Sequence, residues 1–164
     1  MDEIIKWIIV AALALSPFSE LRGAILLAFY YNLNLFFAIP LILFANFIPS
    51  PIIIKFLFPV EKWLRKWNLW NKFFDKIYSY TRKKTEKSIE KWETLALIIF
   101  VAIPLPFTGA WTGSLAAYLF GLDFKKSLAC IFIGICIACF IVTLLTFAGI
   151  KLAKFPQIYP SVFP

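Results

Sequence analysis

Two residues of this chain are equipped for chemistry by type and setting: Glu20 and Arg22. They follow a Ser16-Pro17-Phe18-Ser19 break and lie between two strongly apolar runs. A desolvated carboxyl group can take up and release a proton. A guanidinium stays charged and presents a planar donor fork that suits phosphate or carboxylate. Ionisable groups among apolar segments are costly and are kept chiefly where they pair or act. Glu20 and Arg22 are therefore the candidate proton-coupling and substrate-binding residues, with Pro17, Ser19 and Gly23 shaping the turn around them. The structural alternative is that Glu20 caps its own helix and pairs with a cation.

A second stretch, Ile103 to Gly113, has the same outline without charge. Pro104 and Pro106 break it. Thr108, Trp111 and Thr112 supply hydroxyls and an indole donor, while Gly109 and Gly113 permit a tight turn and close helix approach. Facing the Glu20 stretch, it would complete a polar pocket.

Other chemistries are excluded or unsupported. The chain has no His, so a His-based metal site or triad is absent. Cys136-Ile137-Ala138-Cys139 spells C-x-x-C, but Cys130, Gly134 and Ala138 recur every four residues on an apolar run, as a small-residue packing stripe does. With no nucleotide loop or nucleophile elbow either, an enzyme is not expected, nor is a cofactor or metal.

The elements that position these residues belong to a membrane. Hydrophobic residues make up 62% of the chain and charged ones 16%, against roughly half and a quarter in soluble domains. The expected class is an all-α integral membrane protein, a single domain over 1–164. The net charge of +8 is concentrated in one Trp-rich segment flanked by apolar runs, which points to a lipid surface and not to nucleic acid.

Ile4 to Leu15 covers roughly 18 Å, too short for a hydrocarbon core of about 30 Å, and Gly23 to Tyr31 is shorter still. Two half-length helices meeting at a proline turn predict a re-entrant hairpin. Leu35 to Val60 is long enough to cross, with a bend expected near Pro49-Ser50-Pro51. Over 61–93, Trp63, Trp67, Trp70 and Phe74 recur at spacings of three and four, with Arg65, Lys66 and Lys72 on other faces. This predicts an amphipathic interfacial helix whose membrane-surface residues are Lys62, Trp63, Arg65, Lys66, Trp67, Trp70 and Lys72. Thr94 to Pro104 and Thr108 to Phe120 repeat the half-length pattern, and Ser127 to Ile150 crosses. No structure is assigned to the Pro-rich tail 151–164.

Sliding the chain by 89 positions places Pro17-Phe18-Ser19 on Pro106-Phe107-Thr108 and Tyr31-Asn32-Leu33-Asn34-Leu35 on Phe120-Gly121-Leu122-Asp123-Phe124. The domain thus divides into repeat 1 (4–60), the linker helix (61–93) and repeat 2 (94–150). A hairpin returns to its own side and the next helix crosses, so the second hairpin enters from the opposite face. That is an inverted repeat with broken helices tip to tip. Because the basic segment and the Asp123–Lys126 loop share one face, that face is expected in the cytoplasm and both termini outside, in a multi-pass protein of the cytoplasmic membrane.

The stretches Ser16 to Ala24 and Pro104 to Gly113 resemble the two signatures of the small multidrug export protein family, itself similar to the DedA superfamily that includes eukaryotic lipid scramblases. The resemblance covers roughly residues 5 to 150. It implies two facing re-entrant hairpins plus crossing helices. It also implies transport, either drug export or movement of lipids such as polyprenyl phosphates, with proton coupling. Leu26 stands where the family often has proline, and the second hairpin lacks the arginines of the DedA proteins. The expected function is a membrane transporter of an anionic, lipid-phosphate-like amphiphile. The alternatives are a proton-coupled small-molecule or multidrug exporter, and a non-transporting scaffold. Membrane lipids are the expected partners, together with a second copy of the chain, because two crossing helices hardly bury two polar hairpins.

Overall fold

The computed structural model describes residues 2–64, 87–105 and 108–158. Those residues form seven helices: α1 (Glu3–Leu15), α2 (Glu20–Tyr30), α3 (Leu35–Phe47), α4 (Pro49–Leu64), α5 (Lys87–Ala102), α6 (Ala110–Leu119) and α7 (Phe124–Ile158). Among the described residues there is no strand.

Proline sets the breaks. α1 stops at Ser16 because Pro17 disfavours helical backbone in the residue before it, and α5 stops before Pro104 for the same reason. Each short helix is followed by a second short one and then by a long apolar one. Two helical stretches, Leu35–Leu57 and Phe124–Ile150, are long and apolar enough to cross a membrane. α3 and α4 meet at Ile48, whose backbone stays helical (φ −49°, ψ −43°). Pro49 and Pro51 therefore cost local hydrogen bonds and interrupt the helix at the expected bend without turning the chain back.

The correspondence across 89 residues extends to individual backbone bonds. α2 ends with Asn32 N–H donating to the Phe29 carbonyl (3.1 Å) and Leu33 N–H to that of Ala28 (3.0 Å). α6 ends with Gly121 N–H donating to Tyr118 (3.0 Å) and Leu122 N–H to Ala117 (3.2 Å). Both are Schellman closures, and the residue after each C-cap is left-handed: Asn32 at φ 52° and Gly121 at φ 68°. Asn and Gly are the residues that tolerate this conformation best. The following helices also start alike, Ala38 N–H on the Asn34 carbonyl and Ser127 N–H on that of Asp123.

Packing interlocks the two halves. α1, α2 and α3 pack on one another, as do α5, α6 and α7. Across the halves α4 packs on α6, and α7 packs on both α2 and α3. The core is built largely from small and β-branched residues, among them Val10, Ala14, Ala24, Ala28, Ala38, Val101, Ala110, Ala117, Ile131 and Ala138. Such residues let helix backbones approach closely without relying on water exclusion. Gly113 and Gly134 cradle Val101, since a Cβ on either would strike its side chain. The expected small-residue stripe on the last helix therefore receives α5. Exposed Phe36, Phe44, Phe56, Phe132, Phe140 and Leu144 cover the outside of the long helices, as suits lipid contact.

Several boundaries differ from the sequence reading. α2 begins at Glu20 and α6 at Ala110. α4 runs on to Leu64 and α5 begins at Lys87, so both ends of the 61–93 linker continue flanking helices, while 65–86 lies outside the described residues. α7 starts at Phe124 and continues to Ile158, past the expected end at Ile150. Lys151-Leu152-Ala153-Lys154 contains no helix breaker, and Pro156 enters so late that few backbone bonds are lost. Residues 159–164 of the tail lie outside the described residues.

A Leu at position 134 would drive into Val101, whose Cβ already lies 2.6 Å from where a Cβ on that residue would stand. Gly134→Leu is expected to destabilise the protein by about 1–3 kcal/mol through overpacking. Thermal unfolding in detergent measures this, and adding Val101→Gly, which removes that Cβ, should recover part of the loss.

Candidate functional site at the helix tips

The two proline breaks meet. Glu20, the first residue of α2, has left-handed backbone (φ 51°), which turns a non-glycine residue out of its ordinary range. Its side chain is buried, with 2% of its surface exposed. The carboxylate lies against Gly109, its repeat-equivalent position, so closely that a Cβ on residue 109 would overlap it. Glycine is required at 109 to make this approach possible.

Gly109 is the N-cap of α6 and has no side chain with which to cap it. Thr112 supplies half of a capping arrangement, its hydroxyl accepting from the Gly109 N–H at 3.1 Å. Glu20 brings a carboxyl group from the other half of the chain to the end of α6, where free N–H groups and the helix dipole favour negative charge. The Trp111 backbone N–H lies on the side of α6 that the carboxylate approaches. It falls short of full hydrogen-bond geometry, and neither carboxylate oxygen has a hydrogen-bond partner among the described residues. The helix that Glu20 serves is thus α6, not its own.

Arg22 and Trp111 are also 89 positions apart, and they reach across the tips in opposite directions. Trp111 donates its indole N–H to the Leu15 carbonyl (3.1 Å), at the end of α1. Arg22 Nη2 lies 3.5 Å from the Ile103 carbonyl, just past the end of α5. It also donates to the Thr108 carbonyl and to Thr108 Oγ1 at 3.1 Å. The Thr108 hydroxyl binds back into its own loop, 2.7 Å from the Ile103 carbonyl and 2.8 Å from that of Leu105. Glu20 and Arg22 make no ion pair with each other within 4 Å.

Donors to the end of α1 come from three places. Ser16 N–H covers the Ala12 and Leu13 carbonyls, and Glu20 N–H covers that of Ser16. Asn46 Nδ2 covers the Ala14 carbonyl at 2.9 Å, and Trp111 covers Leu15. Helix ends held inside a protein need such partners. Asn46 was not among the sequence candidates. The signal was available, since it is a polar amide within an apolar run. Ser50, one turn further on, is also fully buried, and its Oγ and the Asn46 Oδ1 have no partner among the described residues.

Beside the tips Arg22 lines a cleft of about 490 Å³ with Leu26 and Pro104 and with Val142, Leu145, Thr146, Gly149 and Ile150 of α7. Its walls are apolar apart from Arg22 and Thr146. The sequence reading assigned α7 no part in the site. Arg22 Nε is buried without a partner.

The other expected positions divide clearly. Ser19 is the N-cap of α2, and its Oγ fills the space above Gly23. Pro17 is exposed in the turn. Gly113 serves packing on Val101. Trp63 is exposed near the end of α4. Pro106, Arg65, Lys66, Trp67, Trp70 and Lys72 lie outside the described residues, as does the Lys62 side chain. No group of three or more potential metal ligands occurs among the described residues.

A family model described as "Putative small multi-drug export protein" matches residues 20–141, a span that takes in Glu20, Arg22 and the second tip and begins just after the Ser16–Ser19 break. The chain belongs to this family. No curated protein and no solved structure matches it significantly. Membership agrees with the two helical stretches among the described residues that are long and apolar enough to cross a membrane, and together they make this a membrane protein of an export family.

Gly109→Ala tests the contact between the tips. The new methyl group overlaps the Glu20 carboxylate, and a loss of about 1–3 kcal/mol is expected from overpacking. Glu20→Ala in the same chain removes the clash. The double variant should unfold at a higher temperature than Gly109→Ala alone, whereas a methyl group tolerated without Glu20→Ala would place the carboxylate elsewhere.

Proposed function

We propose that this protein is a membrane transporter whose substrate is an anionic amphiphile of the lipid-phosphate kind. The observation that carries the reading is the cleft in which Arg22, its Nε unpartnered, is set among Leu26, Val142, Leu145 and Ile150. A guanidinium matches an oxyanion headgroup, and the apolar wall matches a hydrocarbon tail. Export-family membership supports transport over catalysis.

In this reading the two hairpins are re-entrant and enter from opposite faces, and their tips form the barrier between the two sides. The recurrence of the same turns and caps 89 residues apart supports the repeat. Short helices whose ends are covered by protein side chains fit the rule that non-helical backbone at membrane depth must be covered. Glu20 is the proton-binding group. It is buried against the N-terminus of α6, so gain or loss of its charge acts directly on the contact between the halves. The protein then sits in the cytoplasmic membrane with its basic 61–93 segment on the cytoplasmic face and its termini outside, recognising membrane lipids and pairing with a second copy of itself.

The family description favours a second reading, in which the same site exports small-molecule drugs; exchange for protons is our addition to it. Reconstitution into liposomes separates the two. Fluorescent polyprenyl phosphate should cross in the presence of the parent protein. Arg22→Gln should slow it about tenfold or more, the scale of one lost charge-assisted contact. Glu20→Gln should abolish its dependence on a pH gradient. Proton flux driven by a cationic drug, with no movement of the phosphate, would favour the second reading. Equal rates for Glu20→Gln and the parent would remove the proton role.

A further inference from the structure

Asn46 and Ser50 stand one turn apart on either side of the α3–α4 joint, and both are fully buried. Asn46 Oδ1 and Ser50 Oγ have no hydrogen-bond partner among the described residues, each other included. Buried oxygens left in this way are costly, and an internal water is the ordinary remedy where the site is polar and has room. We propose that this pair is a binding site for one buried water molecule, which links Asn46 Oδ1 to Ser50 Oγ beside the end of α1.

The orientation of the amide is fixed by its other end. Asn46 Nδ2 donates to the Ala14 carbonyl at 2.9 Å, and because a carbonyl only accepts, the amide cannot be turned the other way. Its Oδ1 is thereby turned from Ala14, with lone pairs to fill. Ser50 is unusual in a different way. Ser114, Ser127 and Thr146 each give their hydroxyl to the carbonyl four residues back, at 2.6, 2.9 and 2.8 Å, a common resort of hydroxyls on helices. Ser50 Oγ makes no such bond. The backbone between the two residues is helical at Ile48, whose N–H reaches the Phe44 carbonyl at 3.0 Å. Asn46 and Ser50 therefore share a face, with Cβ atoms about 5–6 Å apart. Hydrogen bonds of about 2.8 Å on either side let one water bridge that interval.

The repeat shows that polarity here is not a demand of packing. Eighty-nine positions on from Asn46 and Ser50 stand Ile135 and Cys139, both buried. Asn and Ser fill less volume than Ile and Cys, which leaves room in the first half. The donor set favours water over a cation: the Ser50 hydroxyl can give a hydrogen and Asn46 Oδ1 can only accept one, so a water takes from the first and gives to the second. Pro51 adds to the need for a donor, since it has no N–H for the Phe47 carbonyl. The water holds the Asn46 amide from its free side. Through Asn46 it steadies the Ala14 carbonyl, next to the Leu15 carbonyl that Trp111 holds.

A crystal structure of the full-length protein, at a resolution that shows ordered waters, tests the site, with thermal unfolding in sodium chloride and in choline chloride beside it. One density peak should lie about 2.7–3.0 Å from both Asn46 Oδ1 and Ser50 Oγ, and the melting temperature should be the same in the two salts. In Ser50→Cys, whose thiol is a poor donor, the peak should vanish and the melting temperature should fall by about 2–4 °C. A parent structure in which Ser50 Oγ donates straight to Asn46 Oδ1, or in which no peak joins them, would overturn the proposal. So would a sodium-dependent stability that Ser50→Cys removes, because the guest would then be an ion.

Discussion

A helix that ends inside a protein leaves carbonyls or N–H groups that must find partners, and in this fold each broken hairpin takes some of its partners from outside it. The α1 carbonyls are covered by an indole from α6 and an amide from α3. The segment after α5 is covered by the Arg22 guanidinium of α2, and the start of α6 faces the Glu20 carboxylate. Neither tip is complete alone. With one of them displaced, the other would carry exposed backbone, and in Glu20 an anion without its helix end. The crossing of α4 onto α6 and α7 onto α2 follows, because the long helices must bring the two hairpins into register.

This mutual completion links architecture to function. A barrier whose two halves supply each other's hydrogen bonds has discrete arrangements, joined or parted, and does not deform continuously. In the proposed function, the charges at the joint would bias that choice. The repeat-equivalent pairs Glu20/Gly109 and Arg22/Trp111 occupy like places, yet only one member of each pair is charged. The neutral partners make room and give hydrogen bonds, so in the proposed transport any response to protons and anions would fall to one hairpin.

Much of this was legible in the sequence. The proline breaks, the half-length runs and the lone Glu-Arg pair all mark the first tip locally, and Pro104, Gly109 and Gly113 mark the second. The turns at Asn32 and Gly121 were legible because left-handed backbone restricts residue choice. The pairing across the tips was not. Gly109 carries the signature of a tight turn, but its necessity comes from a carboxylate 89 residues away, which leaves no local trace. Asn46 sat in a run dominated by prolines and aliphatics, where its one amide was easily passed over. The extension of α7 was missed because a proline-rich tail reads as a stop, although proline breaks only the bonds around its own position. The 61–93 helix was read from its aromatic spacing, and its centre lies outside the described residues.

The meeting of the tips is tested most directly by a cysteine pair at positions 20 and 109, Glu20→Cys with Gly109→Cys, in a chain whose Cys130, Cys136 and Cys139 are replaced. In native membrane vesicles a short bifunctional thiol reagent should join the two within one chain. Each single variant should give only a mono-adduct. Modification of both cysteines without a link between them would contradict the meeting of the tips.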